Sequence, residues 1–205
     1  MVAISDTHGQ HEKLSLPAGD LLIHAGDISR IGIKDEIKNF LDWFATTDFK
    51  YKVFIAGNHD FLFERDRKNA RGLIPSGVIY LEESQVEIET LTIYGAPYTP
   101  EFFNWAFMKK VGSEIRATWE KIPSNVDILI THGPPRRILD KNEYGDYCGC
   151  AQLRERVLEV HPKYHIFGHI HEAYGTMERG DTKFINSSVL DEHYRLANSP
   201  ISFTI

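Results

Sequence analysis

Cysteine is almost absent from this chain, with only Cys148 and Cys150 among 205 residues. Two positions apart, they are too close to staple a fold. A disulfide scaffold is excluded, and a reducing cytoplasm is the compartment expected. No apolar run approaches the ~20 residues that a membrane span needs. Nor does a charged start lead into an apolar stretch with a small-residue cleavage site, so neither membrane insertion nor export is expected. Positive charge is not in excess. Lys and Arg number 23 against 29 Asp and Glu, a net charge of −6, which argues against a broad basic footprint for duplex nucleic acid. Flexible linkers, low-complexity tracts and internal repeats are all missing, so residues 1–205 are expected to form one domain. The rest of the composition, 42% hydrophobic and 25% charged, is ordinary for a globular chain with one buried core.

Histidine is the unusual abundance, at ten residues, and its placement follows the predicted elements. Short apolar runs at 2–5, 20–25, 52–56, 127–131 and 164–167 read as strands. Ile33, Ile37, Phe40, Leu41 and Phe44 form the apolar stripe of a helix. Further helices are predicted over 61–71, ending at Gly72, over 113–121 before Pro123, and over 150–160 before Pro162. Residues 86–88 and 91–94 alternate as a hairpin across Glu89 and Thr90. A second hairpin turns at Arg179-Gly180-Asp181, and a last strand follows Pro200. An α/β first half followed by added hairpins predicts two packed mixed sheets flanked by helices, a four-layer αββα sandwich.

Metal-competent side chains recur where these strands end. Asp6-Thr7-His8 follows the first, Gly26-Asp27 the second and Gly57-Asn58-His59-Asp60 the third. His132-Gly133-Pro134-Pro135 follows 127–131, and Gly168-His169-Ile170-His171 follows 164–167. In an extended segment residues i and i+2 point the same way, so Asp6 and His8 can share one ion, and His169 and His171 are another such pair. Taken singly, Asp-x-His or Gly-Asp is an ordinary loop or turn. Repeated at the end of each strand, the set reads as a metal site beyond the carboxyl ends of a sheet. Carboxylate, carboxamide and imidazole without thiolate suit Mn²⁺, Fe²⁺ or Zn²⁺.

This ordered set resembles the calcineurin-like metallophosphoesterases, whose pattern is D-x-H, G-D, G-N-H-D/E, H and G-H-x-H, over almost the whole chain. The stretches HAGD, YKVFIAGNHD, THGPP and FGHIHEAYG resemble the metallophosphoesterase-domain-containing subfamily, in which Glu often stands where this chain has Asp60. The resemblance implies two divalent ions. Asp6, His8 and His171 would hold one, Asn58, His132 and His169 the other, and Asp27 would bridge them. It further implies hydrolysis of a phosphate ester by a hydroxide between the ions. His59 would be the proton donor to the leaving group, its ring oriented by Asp60. The implied partner is a small phosphodiester, with a cyclic nucleotide among the candidates.

Two other readings compete. The protein Ser/Thr phosphatases resemble one another around G-D-x-x-D-R-G, whereas this chain reads Gly26-Asp27-Ile28-Ser29-Arg30-Ile31-Gly32, without the second Asp and with Arg one residue early. A non-catalytic scaffold would have lost ligands, and none is missing here. Monoester enzymes commonly clamp the dianion with Arg or Lys, and only Arg30, Arg136 and Arg137 lie near the motifs.

Among the remaining side chains, His24 is expected in the core or behind the ligands, while His11, His161, His165 and His193 are expected in structural or surface positions. Cys148 and Cys150 are expected to pack at a helix start. The aromatic segment 102–107 has two readings, a piece of core or a lip over the site on which a base stacks. Asn186-Ser187-Ser188 is either a simple turn or a return toward the site.

Overall fold

Side chains alternate between the two faces of a strand, and in β1 (Val2–Ile4) and β2 (Leu21–His24) both faces are buried. Such strands need a cover on each side. The computed structural model, which describes residues 1–205, supplies both.

Helix α1 (Lys34–Thr46) links β2 to β3 (Tyr51–Phe54), and α2 (Phe61–Arg65) and α3 (Arg67–Gly72) precede β4 (Val78–Tyr80). Next come the hairpin β5 (Ser84–Ile88) and β6 (Leu91–Ala96), the short pair β7 (Thr99–Pro100) and β8 (Met108–Lys109), and α4 (Ser113–Trp119). The chain continues through β9 (Ile128–Thr131), α5 (Ala151–Val160), β10 (Tyr164–Phe167), β11 (Gly175–Arg179), β12 (Thr182–Asn186) and β13 (Ile201–Ser202). No helix is long and apolar enough to cross a membrane.

One sheet has the order β13-β1-β2-β3-β4 and the other β11-β12-β10-β9-β6-β5. The edge pairings β13–β1, β5–β6 and β11–β12 are antiparallel, and the rest are parallel. Between the sheets lies an aliphatic layer that includes Ala3, Ile23, Val53, Ile128, Ile130, Ile166 and Ile185. The outward faces of the same strands carry larger groups. Phe54 meets Phe40 and Phe44 of α1 at ring-centroid distances of 6.1 Å, while Leu129, Phe167 and Phe184 belong to the same cluster as Trp119, Leu153 and Val157 of α4 and α5. Burying each such side chain contributes ~1.5–3 kcal/mol. The result is the αββα sandwich the patterning predicts.

Local chemistry explains the departures. The helix expected over 61–71 breaks at Asp66, whose φ of −141° and ψ of 65° leave helical space. Its side chain instead accepts from Asn69 N and caps α3. Ile33 is the residue before α1 and half exposed, so the buried stripe begins at Ile37. Strand β4 is only three residues long and carries no alternation strong enough to read.

The parallel strands of each sheet end at a common edge, and there the sheets are tied together. Ser5 bridges to Ser188 in parallel, and Val189 N donates to the Ser5 carbonyl at 3.0 Å. The strand-end motifs of both sheets therefore face one another.

Candidate metal centre

Tight backbone brings the motif side chains inward. Asp6, His8, Asp27 and His169 have φ of 55°, 41°, 55° and 69°, in the left-handed region that residues with a Cβ adopt at a cost. Close approach explains the neighbouring glycines. A Cβ on Gly57 would lie 2.2 Å from Asp27 Oδ1, and one on Gly168 would lie 2.0 Å from Asp6 Oδ2.

Three overlapping groups converge: Asp6, His8 and His171; His8, Asp27 and His59; and Asp27, His132 and His169, with the ligand atoms of each group within 4.8 Å of one another. Asp27 Oδ2 lies 3.6 Å from His8 Nε2 and 3.3 Å from His132 Nε2, so one carboxylate oxygen faces both halves of the cluster. Asn58 Oδ1 lies 2.9 Å from His132 Nε2, and Asp6 Oδ1 lies 3.5 Å from His171 Nε2. His169 adjoins His132, with ring centroids 4.9 Å apart, and its backbone N–H donates to Asp6. All seven residues expected as ligands thus stand in one cluster.

The imidazoles are held ready to ligate. His8 Nδ1 meets the Ser29 carbonyl at 3.1 Å, His132 Nδ1 the Ala25 carbonyl at 3.0 Å and His171 Nδ1 the Asp191 carbonyl at 2.9 Å. A ring nitrogen facing a carbonyl carries a proton, which turns Nε2 into the cluster as the atom that can ligate once it is unprotonated. His8 Nε2 is buried and makes no hydrogen bond, the condition of an atom that awaits a ligand.

Charge balance agrees with this. Burial opposes ionisation of Asp6 and Asp27, but the adjacent imidazoles hold both carboxyls below the usual range. Burial disfavours the His132 cation, yet Asp27 beside it raises that imidazole to about 9. His171 rises to about 9 against its own burial because Asp6 faces it. His8 and His169 are pushed down by burial, to about 4 and about 3. The carboxylates therefore draw two positive charges onto the cluster, a role divalent cations would take over with release of those protons.

His59 stands beside the cluster, its Nε2 4.0 Å from Asp27 Oδ2. Its Nδ1 donates to the Arg30 carbonyl at 2.6 Å, and its ring stacks on Trp105 with centroids 4.2 Å apart. Asp60 does not orient that ring, contrary to the expectation from the motif. It points the other way and accepts from Gly57 N at 2.7 Å, Ser29 N at 3.0 Å, Ile28 N at 3.2 Å and Ser29 Oγ. Burial and the charge of Asp27 push its carboxyl up to about 6 against these donors. Asp60 therefore ties the loop after β3 to the loop after β2, and the Arg30 carbonyl takes the orienting role.

His24 lies behind the cluster, accepting from Gly26 N and meeting Thr7 Oγ1 at 3.0 Å. His11 packs between Phe40 and Trp43, and His165 is buried against Thr131 Oγ1. Cys150 begins α5, accepting from Leu153 N and Trp119 Nε1. The segment 102–107 divides: Ala106 and Phe107 are core, Trp105 covers His59, and Phe102 and Phe103 are 63% and 76% exposed. Asn186-Ser187-Ser188 turns back to the site, where Ser188 Oγ donates to Asp6 Oδ2 at 2.7 Å. Sequence reasoning missed Asp191, which orients His171, and Tyr194, whose ring lies 4.9 Å from His8 and 5.3 Å from His171. Their one signal is proximity in the chain to the Asn-Ser-Ser triplet.

The family model for calcineurin-like phosphoesterases matches residues 1–173. The chain belongs to that family. Among curated calcineurin-like relatives, metallophosphoesterase domain-containing protein 1 of Homo sapiens is 37% identical over 225 residues, covering 98% of this chain and 69% of the relative. UPF0046 protein T07D4.2 of Caenorhabditis elegans is 38% identical over 235 residues, covering all of this chain and 59% of the relative. Two solved structures share the fold at low identity. Phosphopantetheinyl hydrolase of Mycobacterium tuberculosis superposes with a TM-score of 0.65 at 20% identity, covering 94% of this chain and 90% of that one. GAP50, described as the anchor in the inner membrane complex of Plasmodium, gives 0.54 at 14% identity, covering 92% and 70%. A fold described for a hydrolase and for an anchor leaves function to be argued from the site.

Proposed function

We propose that this calcineurin-like chain hydrolyses phosphodiesters with two divalent cations held by Asp6, His8, Asp27, Asn58, His132, His169 and His171. The observation that carries the reading is Asp27 Oδ2, which faces both His8 Nε2 and His132 Nε2. Side chains on either side of it complete two donor sets free of thiolate. Two such cations would supply Lewis-acid stabilisation of the phosphate oxygens and an activated water near neutral pH.

The protein's own part is proton delivery and positioning. With the Nδ1 proton committed to the Arg30 carbonyl, His59 presents Nε2 toward the cleft, and in its imidazolium form it passes the Nε2 proton to the departing oxygen and ends as the neutral Nδ1–H tautomer. Trp105 holds the ring by stacking, while the four donors to Asp60, Gly57 N among them, fix the loop that carries it. The diester preference is supported by the cleft lining. His8, Asp27, Asn58, His59, Phe102, Trp105, Met108, His169, His171 and Tyr194 surround about 220 Å³ without any Lys or Arg to clamp a monoester dianion. Arg136 is turned to the Tyr147 carbonyl, and Arg137 to the Tyr147 ring. Of the expected cations only Arg30 approaches, and it lines the cavity outside the cleft.

The test is kcat/KM for bis-(p-nitrophenyl) phosphate against p-nitrophenyl phosphate with added Mn²⁺, extended to cyclic nucleotides. The diester is expected to be the better substrate. A clear preference for the monoester would overturn the reading.

A further inference from the structure

A second, larger cavity opens from the cleft. It holds about 640 Å³ and is lined by His8, Gly9, Gln10, Lys13, Arg30, Ile31, His59, Trp105 and Tyr194. Its size falls within the ~300–1,000 Å³ typical of small-molecule sites. Four of its residues, His8, His59, Trp105 and Tyr194, also line the cleft, so one molecule can occupy both. Its character differs from that of the cleft, because the outer cavity has two cations in its wall and no carboxylate.

Neither cation is neutralised. The Arg30 side chain makes no hydrogen bond or ion pair, although its carbonyl is taken by His59. Lys13 Nζ meets a neutral partner, Gln10 Oε1, at 3.1 Å. Gln10 in turn donates to the Tyr194 carbonyl at 2.9 Å, which ties Lys13 to the cavity rim. Two acids stand near and keep their charge, Glu36 accepting from Ile31 N and Glu12 from Asn39, but neither pairs with Lys13 or Arg30 and neither lines the cavity. In a chain of net charge −6, two unpaired cations facing one cavity form a local site for an anion.

We propose that the substrate carries a second anionic group, a phosphate besides the scissile one, and that Lys13 and Arg30 receive it. This rests on the phosphodiesterase reading above and names the substrate class of the same site. It separates two phosphates by position, the scissile one in the inner cleft and the second outside His59.

Calorimetric titration of the Mn²⁺-loaded protein with thymidine 5′-monophosphate and thymidine 3′,5′-bisphosphate tests the proposal by binding alone. The bisphosphate is expected to bind ~10–100-fold more tightly, the scale of one or two charge-assisted hydrogen bonds. The advantage should vanish in the Lys13→Ala/Arg30→Ala double variant and return in Lys13→Arg, which keeps the charge. Equal affinities in the unaltered chain, or an advantage that survives in the double variant, would overturn it. Turnover of bis-(p-nitrophenyl) phosphate, measured alongside, reports separately on the phosphodiesterase reading, since that probe carries no second charge.

Discussion

The wall of the cleft and its rim are built by different rules. The wall stands on strand ends: its Asp6, Asp27 and His132 are buried and held through backbone groups, and the buried Asn58 side chain meets His132. The rim at Lys13, Arg30, Phe102 and Phe103 is exposed and lies outside the two large sheets. A buried wall fixes the chemistry, because each donor atom has one available direction. An exposed rim decides what reaches that chemistry and changes at little cost to the fold. Substitutions in the two regions should therefore fail in different ways.

Loss of Asp27 should be the most damaging. One carboxylate that faces both halves of the cluster also screens the repulsion between two cations there. Asp27→Ala is expected to lower kcat/KM for bis-(p-nitrophenyl) phosphate by more than the ~10²–10⁴-fold assigned to a general acid. A smaller loss would remove the distinction between this residue and its neighbours. His59→Ala comes next, with a loss of ~10²–10⁴-fold and bound metal unchanged. The deficit should shrink for p-nitrophenolate, which leaves without a proton, relative to an alkoxide. Equal deficits for the two leaving groups would sink the proton-donor role.

Behind the wall the effects turn to metal affinity and stability. Ser188→Ala deprives Asp6 of its 2.7 Å donor, and metal affinity should fall ~10–100-fold in a chelator competition, as for other groups that orient a ligand. His24 and His165 are buried as neutral imidazoles, and burial pushes each to about 3 from an ordinary 6.5. The unfolded chain therefore binds more protons between pH 6.5 and 3. Stability is complete above that window and falls as the pH drops through it, by at most about 1.4 kcal/mol per pH unit for each imidazole. Replacing His165 by Gln should flatten the decline of Tm between pH 6.5 and 4. A curve parallel to that of the unaltered chain would contradict the assignment. On the rim, Phe102→Ala should raise KM for a nucleotide diester about 5-fold, the low end of base–aromatic stacking. It should leave Tm within 2 °C or so, since the ring is exposed. A fall in Tm as large as that of a core variant would place Phe102 with the wall.

The same contrast governs how far the sequence could be read. Strand ends are legible because each apolar run stops at a metal-competent side chain, although Asp6, His8 and His169 turn into left-handed backbone and do not continue the two-residue alternation. The layers follow from helical stripes such as Ile37, Phe40, Leu41 and Phe44, which need a partner face. Asp60 was misplaced because its neighbour in the chain is not its neighbour in space. Its donors come from Ile28 and Ser29, in the loop of another strand. The segment 102–107 could not be divided in advance, since whether Trp105 faces His59 or the core depends on where the loop after β7 is carried. Tyr194 and Asp191 lie beyond the last motif and reach the cluster only through the turn that follows β12.

A bridging Asp27 would join two cation sites into one centre. Elemental analysis of the chain purified without chelator, with and without Asp27→Ala, measures this directly. Two divalent ions per chain are expected in the unaltered protein, with both sites depleted together in the variant. Two tightly held ions in the variant, or a single site lost while the other stays full, would contradict it.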